Sequence, residues 1–171
     1  AALNPRTRQM DFKTAHPNSR LKEHFWVTPP PGVDVSPGHC WKLVKSCCGL
    51  AQAAKDWPDE LASTMLQLGC RRLESDECVH IKSRGSSTCM VAVCVDDCAV
   101  FENDENLCRE LTQGLRAKCQ IKELGDLRWF LGMLIERTES GGVTLSQSEC
   151  VTDVLKRHGM EHCNSSATPM E

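Results

Sequence analysis

Eight consecutive residues with strong strand character, Thr88–Val95 (TCMVAVCV), run straight into two aspartates, Asp96 and Asp97, and the apolar pattern resumes at once in Cys98–Phe101 (CAVF). A nearly continuous apolar run of this length predicts a central, buried strand. Adjacent carboxylates do not belong inside one, because a buried, unpaired charge is costly. The chain must therefore turn at the aspartates, which gives a β-hairpin with acidic residues at its tip. Adjacent strand residues point to opposite faces, but a tight turn relaxes that rule and brings both carboxylates near one point. There they repel unless a cation sits between them, and Mg²⁺ accepts such oxygen ligands. Taken alone, the pair fits an exposed Asp-Asp turn at least as well.

The surroundings of the hairpin set the fold class. Cys78–Lys82 (CVHIK) reads as a short strand, and Ser83–Ser87 (SRGSS) as a turn centred on its glycine. Asp56–Leu68 has helical spacing at Trp57, Leu61, Met65 and Leu68, with Pro58 in the first turn and Gly69 after the end. A second helix runs from Asp104 to about Lys118 with Leu107, Leu111 and Leu115 on one stripe. Trp129–Ile135 reads as a strand that Glu139–Gly142 turns back into Val143–Leu145. A third helix starts at Ser146, with Ser146 and Glu149 as a capping box, Val151, Val154 and Leu155 on its apolar side, and Gly159 at its end. Thr28–Gly38 (TPPPGVDVSPG) is a loop connector. Strands and helices without regular βαβ alternation predict an α+β domain.

Composition excludes some classes. At 171 residues the chain can bury a real core. No run approaches the length of a membrane span, and the N-terminal residues AALNPRTRQM have no apolar core of a secretory signal. The net charge of −3 argues mildly against a nucleic-acid binder, but it is unevenly spread. Residues 1–24 hold Arg6, Arg8, Lys13, Arg20 and Lys22 against Asp11 and Glu23, a local +3 that leaves −6 for the remainder. Twelve cysteines raise the question of zinc, yet no C-x-x-C pair occurs, and the pairs Cys94/Cys98 and His158/His162 each stand alone. Free, mostly buried thiols are the simpler account.

A third carboxylate sharpens the reading. Asp11 sits between Met10 and Phe12 in QMDFKTA, a short strand with one acidic residue. Three carboxylates brought together by the fold would suit two-metal phosphoryl transfer. QMDFKTA, CCGLAQAAKDW (Cys47–Trp57), VAVCVDD (Val91–Asp97), IKELGDLRWFLGM (Ile121–Met133), LSQSECVTDVLKRHGM and the closing ATPME occur in the order and spacing of one known family. With these motifs the chain resembles the reverse transcriptase of copia-type LTR retrotransposons over nearly all of residues 9–171.

The resemblance implies a polymerase palm-like antiparallel sheet packed on helices over residues 1–145, and a thumb-side segment over 146–171. It implies that Asp11 and Asp96 ligate two catalytic Mg²⁺ (or Mn²⁺) ions and that Asp97 completes the acidic site. His16, Gly49 and Gln52 would lie near nucleotide and template, and Trp129, Phe130, Leu131 and Gly132 would form the primer grip. The implied partners are an RNA or DNA template with primer, deoxynucleoside triphosphates, and the remainder of a Pol polyprotein with fingers and RNase H. No membrane is implied. The implied place is intracellular: cytoplasm, virus-like particle or nucleus.

The chain also departs from the family. Ten residues precede Asp11 where the family has a basic fingers segment, so the sequence reads as truncated. His16 stands in place of an aromatic residue, Ala51 and Ala54 in place of Lys and Pro, and Pro17 and Ser19 also differ. Cys48, Cys94 and Cys150 fall where the family has Tyr, and Cys70 and Cys119 where it has Phe. The alternative reading is an inactive relic or a co-opted nucleic-acid-binding module.

Overall fold

The computed structural model describes residues 5–13, 15, 20–47, 49–50 and 52–167. The chain divides into two compact units, Ala1–Leu127 and Arg128–Glu171.

The first unit is built on six strands: β1 (Arg6–Phe12), β4 (Arg71–Arg72), β5 (Val79–Arg84), β6 (Ser87–Cys94), β7 (Asp97–Glu102) and β8 (Ile121–Asp126). They form one sheet in the order β4-β5-β6-β7-β1-β8, with every neighbouring pair antiparallel. The predicted Thr88–Val95 strand is β6, and it is central. It is covered on one face more than the other, because Cys89, Val91 and Val93 are buried while Thr88, Met90 and Ala92 are half-buried. Strand periodicity therefore survives inside a run that reads as uniformly apolar. Gly85 and Ser86 close the β5–β6 hairpin, with Gly85 at φ 60°, a value a two-residue turn favours and glycine adopts without strain.

Two helices, α1 (Ala53–Gln67) and α2 (Glu105–Arg116), supply the other half of the core. Trp57, Leu61 and Met65 of α1 and Leu107, Leu111 and Leu115 of α2 join Met10, Phe12, Cys89, Val91, Cys98 and Val100 of the sheet in one buried cluster. Asp104 is the N-cap of α2, accepting from the backbone N–H of Asn106 at 2.9 Å and of Leu107 at 3.3 Å. Helix α1 begins three residues before the expected Asp56, so Pro58 lies in its second turn. Ala54, the residue whose carbonyl loses a partner to Pro58, is exposed along with it, where that loss costs least. A separate hairpin, β2 (Arg20–Val27) and β3 (Trp41–Lys45), flanks the predicted Thr28–Gly38 loop. Alternation does not mark its strands in the sequence: β3 sets Trp41 beside Lys42, both exposed, and Trp26 of β2 is exposed between half-buried Phe25 and Val27.

The second unit holds β9 (Trp129–Phe130), β10 (Met133–Arg137), β11 (Val143–Ser146) and α3 (Ser148–Arg157). The strand predicted over Trp129–Ile135 is two strands. Leu131 and Gly132, at φ 53° and 76°, fold the chain back so that Phe130 pairs with Met133 and Trp129 with Leu134. Positive φ at both central residues is the signature of a type I′ hairpin turn. The expected capping box at Ser146 also differs. Helix α3 starts at Ser148, Gln147 is its N-cap without a side-chain bond, and Ser146 Oγ accepts from the Ser148 N–H at 3.3 Å. Gly159 ends the helix as predicted, at φ 64°, with the Met160 N–H donating to the Leu155 carbonyl at 2.8 Å. The apolar side of α3 is not buried: Val151 and Val154 are exposed.

The architecture is α+β, a large antiparallel sheet with helices on it, consistent with a palm-like fold. Among the described residues no helix is long and apolar enough to cross a membrane. The eleven described cysteines are all free, in line with the sequence, but only Cys70, Cys89, Cys98 and Cys108 are buried and five are exposed. "Mostly buried" is thus corrected. A thiol is small enough to be left at a strand end or in a loop, where no packing constraint draws it inward.

Candidate active site

Alternation along β1 turns Met10 and Phe12 into the core, at 4% and 1% exposure, and leaves Asp11 between them on the opposite face. Strand β7 does the same with Cys98 and Val100 buried and Asp97 half-buried on the outer side. The register of the two strands sets Asp11 directly across from Asp97. Facing positions on neighbouring strands put Cβ atoms about 4.5–5.5 Å apart on one face. The row extends both ways, so that Cys94, Asp97, Asp11 and Lys122 stand abreast on β6, β7, β1 and β8.

Asp96 lies one residue away, in the two-residue turn Val95–Asp96 between paired Cys94 and Asp97. Its carbonyl accepts from the Phe12 N–H at 2.8 Å, which ties the tip of the hairpin to the end of β1. The three carboxylates predicted from the sequence are therefore gathered at one end of the sheet, although 85 positions separate Asp11 from Asp96. Their proximity has an electrostatic cost. Burial, then the negative charges of Asp96 and Asp11, hold the Asp97 carboxyl above its ordinary range. Burial, then the charges of Asp97 and Asp11, push the thiol of the adjoining Cys98 upward too.

A cation would relieve this repulsion, and three carboxylates are hard oxygen donors of the kind Mg²⁺ and Mn²⁺ accept. Among the described residues no group of three or more His, Cys, Asp or Glu side chains encloses a ready-made metal cage. Mg²⁺ in phosphoryl-transfer sites takes one or two carboxylates together with substrate phosphates and water, and the facing pair Asp11–Asp97 offers oxygen donors of that kind. The donor set fits such an ion.

The other predicted residues that are described lie on other elements or the segments joining them. Gly49, at φ 97°, and Gln52, the N-cap of α1, lie in the segment joining β3 to α1. His16 lies outside the described residues. Trp129, Phe130, Leu131 and Gly132 form the first hairpin of the second unit, with Trp129 and Leu131 exposed.

Two residues of the site were not singled out in the sequence. Lys122 is across from Asp11 and brings a cation to the acidic row. Only the pairing of β1 with β8 reveals it, because a lysine on an exposed strand is otherwise unremarkable. Trp57 reaches the hairpin tip from α1, its indole Nε1–H donating to the Val95 carbonyl at 2.6 Å. Its place in the CCGLAQAAKDW motif was the available signal.

The fold is thus a palm-like antiparallel sheet whose hairpin carries paired aspartates across from a third. Residues 2–171 match the family described as Reverse transcriptase (RNA-dependent DNA polymerase), and the chain belongs to that family. It is 33% identical over 165 residues to the Retrovirus-related Pol polyprotein from transposon RE2 of Arabidopsis thaliana, an alignment covering 95% of this chain and 11% of that protein. The transposon TNT 1-94 Pol polyprotein of Nicotiana tabacum is 31% identical over 175 residues, covering 99% of the chain and 13% of the relative. The putative transposon Ty5-1 protein YCL074W of Saccharomyces cerevisiae is 28% identical over 163 residues, 94% of the chain and 53% of the relative. These relatives place the chain among copia-type retrotransposon reverse transcriptases, and it spans about a tenth of the Pol polyproteins it matches. No solved structure matches.

Proposed function

We propose that the chain carries the catalytic palm of an RNA-directed DNA polymerase that extends a primer by two-metal nucleotidyl transfer. The observation that carries this reading is the facing pair Asp11–Asp97 with Asp96 in the adjoining turn. Asp11 and Asp96 would hold the two Mg²⁺ or Mn²⁺ ions, and Asp97 would complete the negative pocket. Bound there, the ions supply charge neutralisation and a lowered pKa for the attacking hydroxyl. The primer 3′-oxygen bonds to the α-phosphorus of a deoxynucleoside triphosphate, the bond to the bridging oxygen breaks, and pyrophosphate leaves with the hydroxyl proton passing to solvent.

The chain's own residues contribute position and charge. Lys122, across from Asp11, would face a phosphate held at the acidic row by the ions. Gly49 and Gln52 would border the nucleotide and template, with His16 at the position that judges the sugar, and Trp129–Gly132 would grip the primer end. Template, primer and nucleotide are the substrates this reading requires, and the rest of a Pol polyprotein is its natural context.

Primer extension on an RNA template with Mg²⁺ or Mn²⁺ tests it, comparing the chain with Asp96→Asn. Extension by the parent and loss in the variant, with both folded, is the expected result. No extension by a demonstrably folded parent would remove the enzymatic reading for this chain and leave a palm-shaped domain.

A further inference from the structure

The tip that presents the carboxylates is strained. Val95 sits at φ 57°, in the left-handed region that β-branched residues rarely enter. Such a conformation persists only where the surroundings over-determine it. Packing of the Val95 side chain does not do so, since it is 49% exposed. Mutual repulsion of Asp11, Asp96 and Asp97 works against a fixed tip as well.

Two hydrogen bonds from outside the hairpin hold it. The Phe12 N–H takes the Asp96 carbonyl at 2.8 Å, and the Trp57 indole takes the preceding carbonyl, of Val95, at 2.6 Å. Their donors are themselves joined, because the Phe12 ring stands edge-on to the Trp57 ring at 5.3 Å and 74°. Trp57, Phe12, Asp96 and Val95 thus close a ring of contacts around the peptide between Val95 and Asp96. Trp57 is 1% exposed, so its buried N–H requires a partner, and Val95 provides one.

We propose that Trp57 is a positioning residue that clamps the Val95 carbonyl and so fixes the strained turn that aims Asp96 at metal beside Asp97. This rests on the metal-binding reading above. Without the clamp, Val95 relaxes to negative φ, the Val95–Asp96 peptide rotates, and the carboxylates lose their common direction. Phenylalanine at position 57 keeps the ring and removes the donor. Glycine at position 95 accepts positive φ without strain and makes the clamp unnecessary.

The test is Mn²⁺ binding to the full chain, followed by loss of the free-ion electron paramagnetic resonance signal, together with amide and indole hydrogen exchange by NMR. Trp57→Phe should weaken Mn²⁺ binding about tenfold and speed exchange of the Phe12 amide while leaving the Val91 amide unchanged. Adding Val95→Gly to that variant should restore affinity to within about twofold of the parent. A merely structural tryptophan would loosen both amides and would not be rescued by glycine. Unchanged affinity in Trp57→Phe, or no rescue, overturns the clamp. If Trp57→Phe does not fold, the parent decides: the Trp57 indole should exchange about a hundredfold more slowly than that of exposed Trp26, and equal rates overturn the proposal. A parent that binds no Mn²⁺, or binds it equally as Asp96→Asn, sinks the metal reading instead, and the Phe12 amide then judges the clamp alone.

Discussion

Asp97 illustrates how a single side chain can be fitted for ligand rather than for stability. Its carboxyl is held above the ordinary aspartate value of 3.8 by burial, Asp96 and Asp11. A raised folded-state pKa means the native state favours the protonated form. The resulting stability is fully present below 3.8 and is lost as pH rises through the raised value. Asp97→Asn should therefore melt higher than the parent at pH 7 and about equally in acid, as thermal unfolding across pH would reveal. Equal melting at pH 7 would mean that the charge is not a burden. Mn²⁺ affinity should weaken on acidification from above the usual aspartate range, since protons compete for the same oxygens. Val95→Gly in the parent background is a second prediction at this scale. Relief of left-handed strain outweighs the entropy that glycine adds to the unfolded chain, for a net gain of about 1 kcal/mol, measurable by urea denaturation. A loss would indicate that Val95 is not strained.

Among the elements, α2 starts from a cap, Asp104, that lies just outside it. Asp104 accepts from Ser87 Oγ at 2.6 Å as well as from the first-turn amides, and these bonds, Ser87 first, hold its carboxyl below the ordinary value. A lowered pKa contributes stability above the unfolded value of 3.8 and loses it as pH falls through the folded one. Asp104→Ala should thus melt lower than the parent at pH 7, with the difference shrinking only in strong acid. A constant difference at all pH values would assign the effect to packing instead of the cap. Glu110, bonded to Lys82 first and then to Arg84, is lowered in the same way and ties α2 to β5. The amphipathic stripe of α2 was legible because Leu107, Leu111 and Leu115 repeat at helical spacing and all three are buried. The turn at Leu131–Gly132 was not, because an apolar run through WFLGM carries no polar break, and Leu131 takes a conformation its type disfavours.

For the whole first unit, the far end of the sheet from the carboxylates holds a buried charge. Glu102 is 1% exposed, and Arg8 reaches its Oε1 at 3.3 Å as an ion pair off the line of a good hydrogen bond. Breaking a buried pair from one side strands the other charge. Arg8 is 37% exposed, which moderates the loss. Arg8→Met should cost about 2 kcal/mol, whereas Glu102→Gln should change stability by less than about 1 kcal/mol. Chemical denaturation of the two variants checks this, and equal losses would contradict it.

The sequence by itself determined the acidic hairpin, the two core helices, the α+β class and the resemblance carried by ordered motifs. Each of these is written in neighbouring residues: an apolar run that stops at charges, a stripe at helical spacing, a motif with fixed offsets. The tertiary structure alone decided that Asp11 faces Asp97, that Lys122 joins their row, and that Trp57 holds the Val95 carbonyl. Strand order and register are fixed by which faces bury together across the whole sheet, and no local pattern encodes that sum. A strained backbone angle likewise leaves no mark in composition, because contacts from distant residues sustain it.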